Sequence, residues 1–403
     1  MRFSRFFKKL ALLCVWSTWT ITAARRLKPS SFFNIDQTEI SQELQHAIRR
    51  QGNDIQTTPC SSPSSRWLQD LIEDVSEEDL NKFFEWQLHI LPFVYKVYVA
   101  PRQSDQEYFG LDGEFTQEIK RIHDQAKEFW SDSGVNDEIF LLSAHGSDLA
   151  DTHNKLVPTL ELVFHKDYDS DYTAYDHAID IQDLITRLPG GYTFPLLTFN
   201  AFATKEIDDH DQDSSDGDQA ASIVVGDGYF KFQKAIGLDS EGPEYALTHE
   251  FSHHLQFILG VKDNKSGLDQ VSKKKELMAD FFSAYFLAHD QGGDMTANQL
   301  ANVDSLAFSV GDCEESEKGH HGTPLQRRCA TAWGAELADD KEIDKKLDIY
   351  ELEARFDAWF ERVDDLIDSC QYVHSAATPI AHLIPSSLQV FTFFIVGGMS
   401  MLI

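Results

Sequence analysis

Two histidines four residues apart, with a glutamate beside the first, stand in Thr248-His249-Glu250-Phe251-Ser252-His253-His254. Residues four apart share one face of a helix, so His249 and His253 can converge on a single ion. Glu250 then sits where it can reach a water on that ion. The H-E-x-x-H letters recur by chance, and two histidines merely touching solvent on an amphipathic helix would spell them too. Glu276-Leu277-Met278-Ala279-Asp280 shifts the balance, because it offers two carboxylates, again four apart, on a second helix. A carboxylate from a facing helix completes a three-ligand zinc set and leaves the fourth position for water. Asp280, one turn on, is placed to accept the free ring N–H of a ligating histidine, His249. The chemistry expected is therefore hydrolytic. One Zn2+ is held by His249, His253 and Glu276, Glu250 is the general base, and no Ser or Cys nucleophile is required.

These residues need two helices to hold them. Asp239-Ser240-Glu241-Gly242-Pro243 offers a start for the first, and Gly260 a stop. The second carries Phe281, Phe282, Tyr285 and Phe286 as a packing face. Upstream the pattern alternates: a helix over 115–130, strands over 138–142 and 160–164, a helix over 174–188, and strands over 194–204 and 222–225. Earlier still, 67–91 predicts a helix, 92–100 a strand and 61–65 a serine-rich linker. Beyond the metal helices, Thr296 and Thr323 each open a helix, and 350–367 carries an apolar stripe of Phe356, Trp359, Phe360, Val363 and Leu366 that belongs to a core. The fold class predicted is α+β: a mixed sheet, the H-E-x-x-H helix and a mainly helical C-terminal part. A sheet edge in such a fold can receive an extended peptide.

The chain of 403 residues carries a net charge of -31 and 42% hydrophobic residues, enough for a sizeable core. That balance argues against nucleic acid, whose phosphates call for clustered Lys and Arg. Residues 1–24 predict a signal peptide, with Arg2, Arg5, Lys8 and Lys9 before a short apolar run and small residues at its end. A retained signal anchor is the alternative. Residues 376–403 lack charge and end in a short apolar tail after the small triplet Ser375-Ala376-Ala377. That order predicts a lipid-anchor (GPI-type) signal rather than a tail anchor or a buried strand, and with it an extracellular, cell-surface protein. Between these ends, 25–110 carries no legible motif and would be a pro-segment, a cap or part of the domain, and 111–375 is expected to form the zinc metallopeptidase domain.

Cys60, Cys313, Cys329 and Cys370 fit an oxidising compartment, and Cys313–Cys329 with Cys60–Cys370 is the preferred pairing of three. Cys60 as a zinc-masking thiol is a second role to weigh. Asn264-Lys265-Ser266 is a glycosylation sequon between the metal helices. The acidic run 208–218, and Asp167, Asp169 and Asp171, invite Ca2+, but an EF-hand fails: the glycine is misplaced and Ser222 stands where the last ligand belongs.

The order Asn200-Ala201-Phe202, Gly226-Asp227-Gly228, His249-Glu250-x-x-His253 and Glu276-x-x-x-Asp280 resembles the thermolysin-like gluzincins. The segment from His249 through His321-Gly322-Thr323 with Arg327 is also similar to bacterial neutral zinc metallopeptidases. The likeness covers about a third of the chain, roughly 194–333. It implies a zincin-like fold, a peptide or protein substrate, and Asn200 and Ala201 on the edge strand that binds the substrate backbone. It also calls for a histidine that stabilises the transition state, for which His321 is preferred over His320. His254 reads as a polar neighbour on the helix flank. A cell-surface binding protein that keeps the scaffold without turnover is the alternative, against which the intact Glu250 argues.

Overall fold

The computed structural model describes residues 62–100, 107–135, 138–164, 168–205, 220–261, 268–312, 320–341, 343 and 345–364. The two chain ends, Cys60, Cys313, Cys370, Asn264, Asp167, Leu366 and the acidic run 208–218 lie outside the described residues. No helix among the described residues is long and apolar enough to cross a membrane.

Fifteen ranges define the frame. Helices α1 (Pro63–Ile72), α2 (Glu77–Glu85), α3 (Leu91–Val94) and α4 (Thr116–Phe129) precede strand β1 (Phe140–Ala144). Then come α5 (Val157–Phe164), α6 (Ala174–Arg187), β2 (Ala201–Thr204), β3 (Ser222–Gly226) and α7 (Asp227–Ala235). The chain continues as α8 (Gly242–Leu259), α9 (Leu268–Ala288), α10 (Ala297–Val310), α11 (Pro324–Ala338) and α12 (Ile349–Phe360).

The sheet is small and mixed, in the order β1-β3-β2. β1 runs parallel to β3, with Leu141 opposite Ile223, and β2 runs antiparallel, with Ala201 opposite Val225. Strand side chains alternate between faces, and both faces are covered. Leu141, Ile223 and Val225 enter a cluster with Phe251, Leu277 and Phe281 of α8 and α9. Leu142, Ala144 and Val224 enter a second cluster with Leu68, Phe93, Phe164 and Ile181. Double-sided burial is why β3 reads as an unbroken apolar run. The segment from α1 through α3 thus fills the core under the far face of the sheet.

Several expectations need correcting. The serine-rich stretch is no linker: Ser62 and Ser64 are buried, and the Ser62 hydroxyl caps α1 by accepting the Ser65 N–H at 3.2 Å. The helix over 67–91 is two helices, since Ser76 caps α2 with a bond from the Asp79 N–H. Residues 92–100 are helical, not a strand. Pro92 opens α3, and Tyr95–Val99 continues as a π-turn. Leu91 to Tyr95 are buried without a sheet partner, so only a helix satisfies their backbone groups internally. Residues 160–164 belong to helix α5, where Pro158 sits in the first turn and apolar residues without strict alternation carry no strand period. Of the strand over 194–204 only β2 remains; Pro195–Leu197 is a 3-10 turn. The Gly226-Asp227-Gly228 turn leads directly into α7. Asp169 spends its carboxylate on the N–H groups of Asp171 and Tyr172, which makes it a turn residue.

Candidate metal centre

α8 begins with Pro243 in its first turn and ends at Gly260, whose φ of 67° is the left-handed cap glycine tolerates. Apart from half-buried His253, Gly242 to Gln256 are buried throughout. The solvent-touching alternative for the motif is thereby excluded, because a buried imidazole or carboxylate must find a partner or an ion. α9 crosses α11 closely: a Cβ at Gly334 would stand 2.2 Å from the Phe281 carbonyl oxygen. α11 opens with a capping box, Thr323 with Gln326, and so delivers Arg327 from its first turn to the carboxylates of α9.

At the crossing of α8 and α9, Glu276 lies between the two histidines. Its Oε2 is 3.2 Å from His249 Nε2 and its Oε1 is 3.5 Å from His253 Nε2. With zinc–nitrogen and zinc–oxygen bonds of about 2.0–2.2 Å, ligand atoms of a tetrahedral site stand roughly 3.4 Å apart. The observed spacings fit. His249, Glu250 and His253 also offer ligand atoms within 4.8 Å of one another, so two carboxylates compete for the third position. Glu276 is the better ligand, because it reaches both imidazoles, whereas Glu250 sits about 100° round the helix from His249.

Behind the histidines Asp280, fully buried, gathers a network. Its Oδ1 is 2.9 Å from His249 Nδ1, an ion-pair distance without in-line hydrogen-bond geometry. The Tyr245 hydroxyl donates to Oδ1 at 2.6 Å. Arg327 grips both oxygens, Nε to Oδ2 at 2.8 Å and Nη2 to Oδ1 at 2.9 Å, and its Nη1 stands 3.5 Å from Glu276 Oε2. His253 Nδ1 lies 3.1 Å from Gln256 Oε1, and the Gln256 amide donates to the Lys275 carbonyl, which closes the gap between helices.

The electrostatics suit a cation. Burial would lower the His249 pKa, but Asp280 and Glu276 outweigh it and raise it to about 10. Burial pushes His253 down to about 4 against the opposing pull of the Glu276 charge, so its imidazole is neutral and available. Burial would raise Glu276, yet His249, His253 and His321 hold it well below the usual carboxylate range. Two carboxylates facing one guanidinium leave a negative charge that a proton on His249 balances, and a metal ion can take that proton's place. The donor set therefore fits a divalent zinc-like ion.

The histidines after α10 are brought to the same region. His321 is close enough for its charge to favour the Glu276 carboxylate. The Asp312 carboxylate lies 2.5 Å from His320 Nδ1 and accepts the His321 backbone N–H at 2.7 Å. His320 has the nearer carboxylate contact on its ring, while His321 is held by its backbone N–H and has its ring Nδ1 3.8 Å from Asp312 Oδ2. His254 is more than a flank residue: its Nε2 lies 3.2 Å from the Ser222 carbonyl, and burial keeps it neutral with a pKa of about 4, so it fastens α8 to β3. Asn200 precedes β2 and accepts the Gly226 N–H at 2.9 Å. Ala201 opens β2, an edge strand that packs against α8. Cys329 is disulfide-bonded.

Sequence reasoning missed Tyr245 and gave Asp312 no role. Tyr245 had a signal, since it stands one helical turn before His249 on the same face. Asp312 had none, because its partners come from a loop eight and nine residues on. No family model, curated protein or solved structure matches the chain.

Proposed function

We propose that this chain is a zinc-dependent metallopeptidase of gluzincin type on a zincin-like fold, acting on peptide or protein substrates outside the cell. The observation that carries the proposal is the single Glu276 carboxylate set 3.2 Å from the buried His249 imidazole and 3.5 Å from the half-buried His253 imidazole on the facing helix. His249, His253 and Glu276 would hold the ion, and Asp280 would orient His249. When bound, zinc would lower the pKa of a water to about 7 and polarise a carbonyl.

The remaining chemistry belongs to the side chains. Glu250 takes a proton at its carboxylate and returns it to the leaving amine. Arg327 and Tyr245 keep Asp280 fixed while charge moves. The edge of β2, which has no second strand partner among the described residues, would give an extended peptide backbone hydrogen-bond partners beside α8. His321 or His320 supplies a donor to the developing oxyanion.

Metal analysis of the purified protein, joined to digestion of a peptide library with and without a chelator, tests the proposal. About one zinc per chain and chelator-sensitive cleavage are expected. Protein that binds zinc but cleaves nothing would instead be a binding protein on this scaffold, and protein that takes up no zinc refutes both.

A further inference from the structure

We infer that Tyr245 is a positioning residue for the metal centre, acting through Asp280 on His249; the inference rests on the zinc reading above. Asp280 Oδ1 is the atom that faces His249 Nδ1, at 2.9 Å, but that contact is bent and does not itself fix the carboxylate. The in-line bonds to Asp280 come from Tyr245, at 2.6 Å to Oδ1, and from Arg327, at 2.8 and 2.9 Å. Arg327 spans both oxygens and sets the plane of the carboxylate from α11. Tyr245 alone holds Oδ1 from α8, the helix that also carries the two histidines.

The geometry gives this bond a particular task. Tyr245, His249 and His253 follow at intervals of four, so the hydroxyl is carried on the same helical face as both imidazoles. Any sliding of α9 along α8 would move Asp280 away from Nδ1 and Glu276 away from Nε2 together. A bond from α8 to Asp280 resists that movement at the level of the site. With Oδ1 held near the ring, the tautomer carrying its proton on Nδ1 is favoured and the Nε2 lone pair faces Glu276 and the ion position. Tyr245 is 1% exposed, so its hydroxyl bonds Asp280 away from bulk water. Its ring packs in the same apolar cluster as Phe251, Leu277 and Phe281, and a phenylalanine keeps those contacts.

Tyr245→Phe in the full chain isolates the hydroxyl. Zinc affinity is measured by competition with a chromophoric chelator, and the Co2+-substituted protein by its visible absorption. The expected result is a zinc Kd raised about 10-fold or more, the low end for loss of a group supporting a ligand. A changed cobalt band is expected with it, while the melting temperature of metal-free protein moves little. The effect should disappear in an Asp280→Asn background, because the hydroxyl acts through that carboxylate. Three outcomes overturn the inference: wild-type affinity and spectrum in Tyr245→Phe, a lowered metal-free stability with zinc affinity intact, or an effect that persists beside Asp280→Asn. Wild-type protein that binds no zinc would remove the underlying reading and this inference with it. The other three results leave the zinc reading standing.

Discussion

Replacing Arg327 by methionine should be among the most damaging single changes to this fold, and the reason is Asp280. The guanidinium is 4% exposed and makes two bonds to a carboxylate that is 0% exposed. Methionine fills much of the volume but leaves Asp280 charged and buried, supported only by Tyr245 and the bent contact to His249. Breaking a buried pair by removing one partner costs about 3–5 kcal/mol. At roughly 1–2 °C per kcal/mol for a chain of this size, the melting temperature should fall by about 3–10 °C. Urea unfolding of metal-free protein supplies the free energy and calorimetry the midpoint. Arg327→Met combined with Asp280→Leu should recover much of the loss, because neither charge is then stranded. The same double variant should not recover tight zinc binding, since the partner of His249 is gone. A loss below about 1 kcal/mol in Arg327→Met would refute the claim that the guanidinium compensates Asp280.

Glu250→Gln should keep zinc bound while peptide hydrolysis falls at least ~10²-fold, the low end for a positioned general base; near-wild-type turnover by verified protein would remove Glu250 from that role. Glu276→Ala should instead release the metal, seen as substoichiometric zinc after dialysis. Acid should weaken the fold through His89 and His177, which burial pushes down to about 4 from 6.5. The unfolded chain then binds more protons between pH 6.5 and 4, so stability present above 6.5 is lost as pH falls through that window. The loss is about 1.4 kcal/mol per pH unit for each histidine, read as the slope of unfolding free energy against pH and reduced in a His89→Leu, His177→Leu variant. Gly334→Val should destabilise the protein, since any Cβ there meets the Phe281 carbonyl; an unchanged melting temperature would contradict the close α9–α11 crossing.

The parts legible in the sequence were those with a period or a cap. Helices α8 and α9 announced themselves through spacing of four and through Pro243 and Gly260, and α11 through Thr323 and Gln326. The parts misread were apolar runs whose partners decide their form. Residues 92–100 and 160–164 contain the β-branched and aromatic residues of a strand, yet they lie under the far face of the sheet, where no strand edge is offered to them. Burial on every side removes the polar positions that would mark a helical period, so sequence alone cannot separate the two forms there.

The candidate site divides along the same line. His249, Glu250, His253, Glu276 and Asp280 are local patterns on two helices, and their spacing alone proposes the ligands. The residues that fix them come from elsewhere: Arg327 reaches Asp280 from 47 positions away, and Tyr245 reaches it from 35. Arg327 carries no spacing signal, because the α9–α11 crossing at Gly334 brings it to Asp280, and the spacing of Tyr245 marks its helical face but not its partner on α9. The burial of α8 makes them necessary. A helix that carries His249 and Glu250 inside a core can be stable only if each charge is answered, and Asp280 with Arg327 answers the charge that accumulates at His249. A motif of this kind on an exposed helix would need no such network, and its histidines would titrate near 6.5. The inward motif and its answered charges are thus one physical fact, and both follow from the burial of α8.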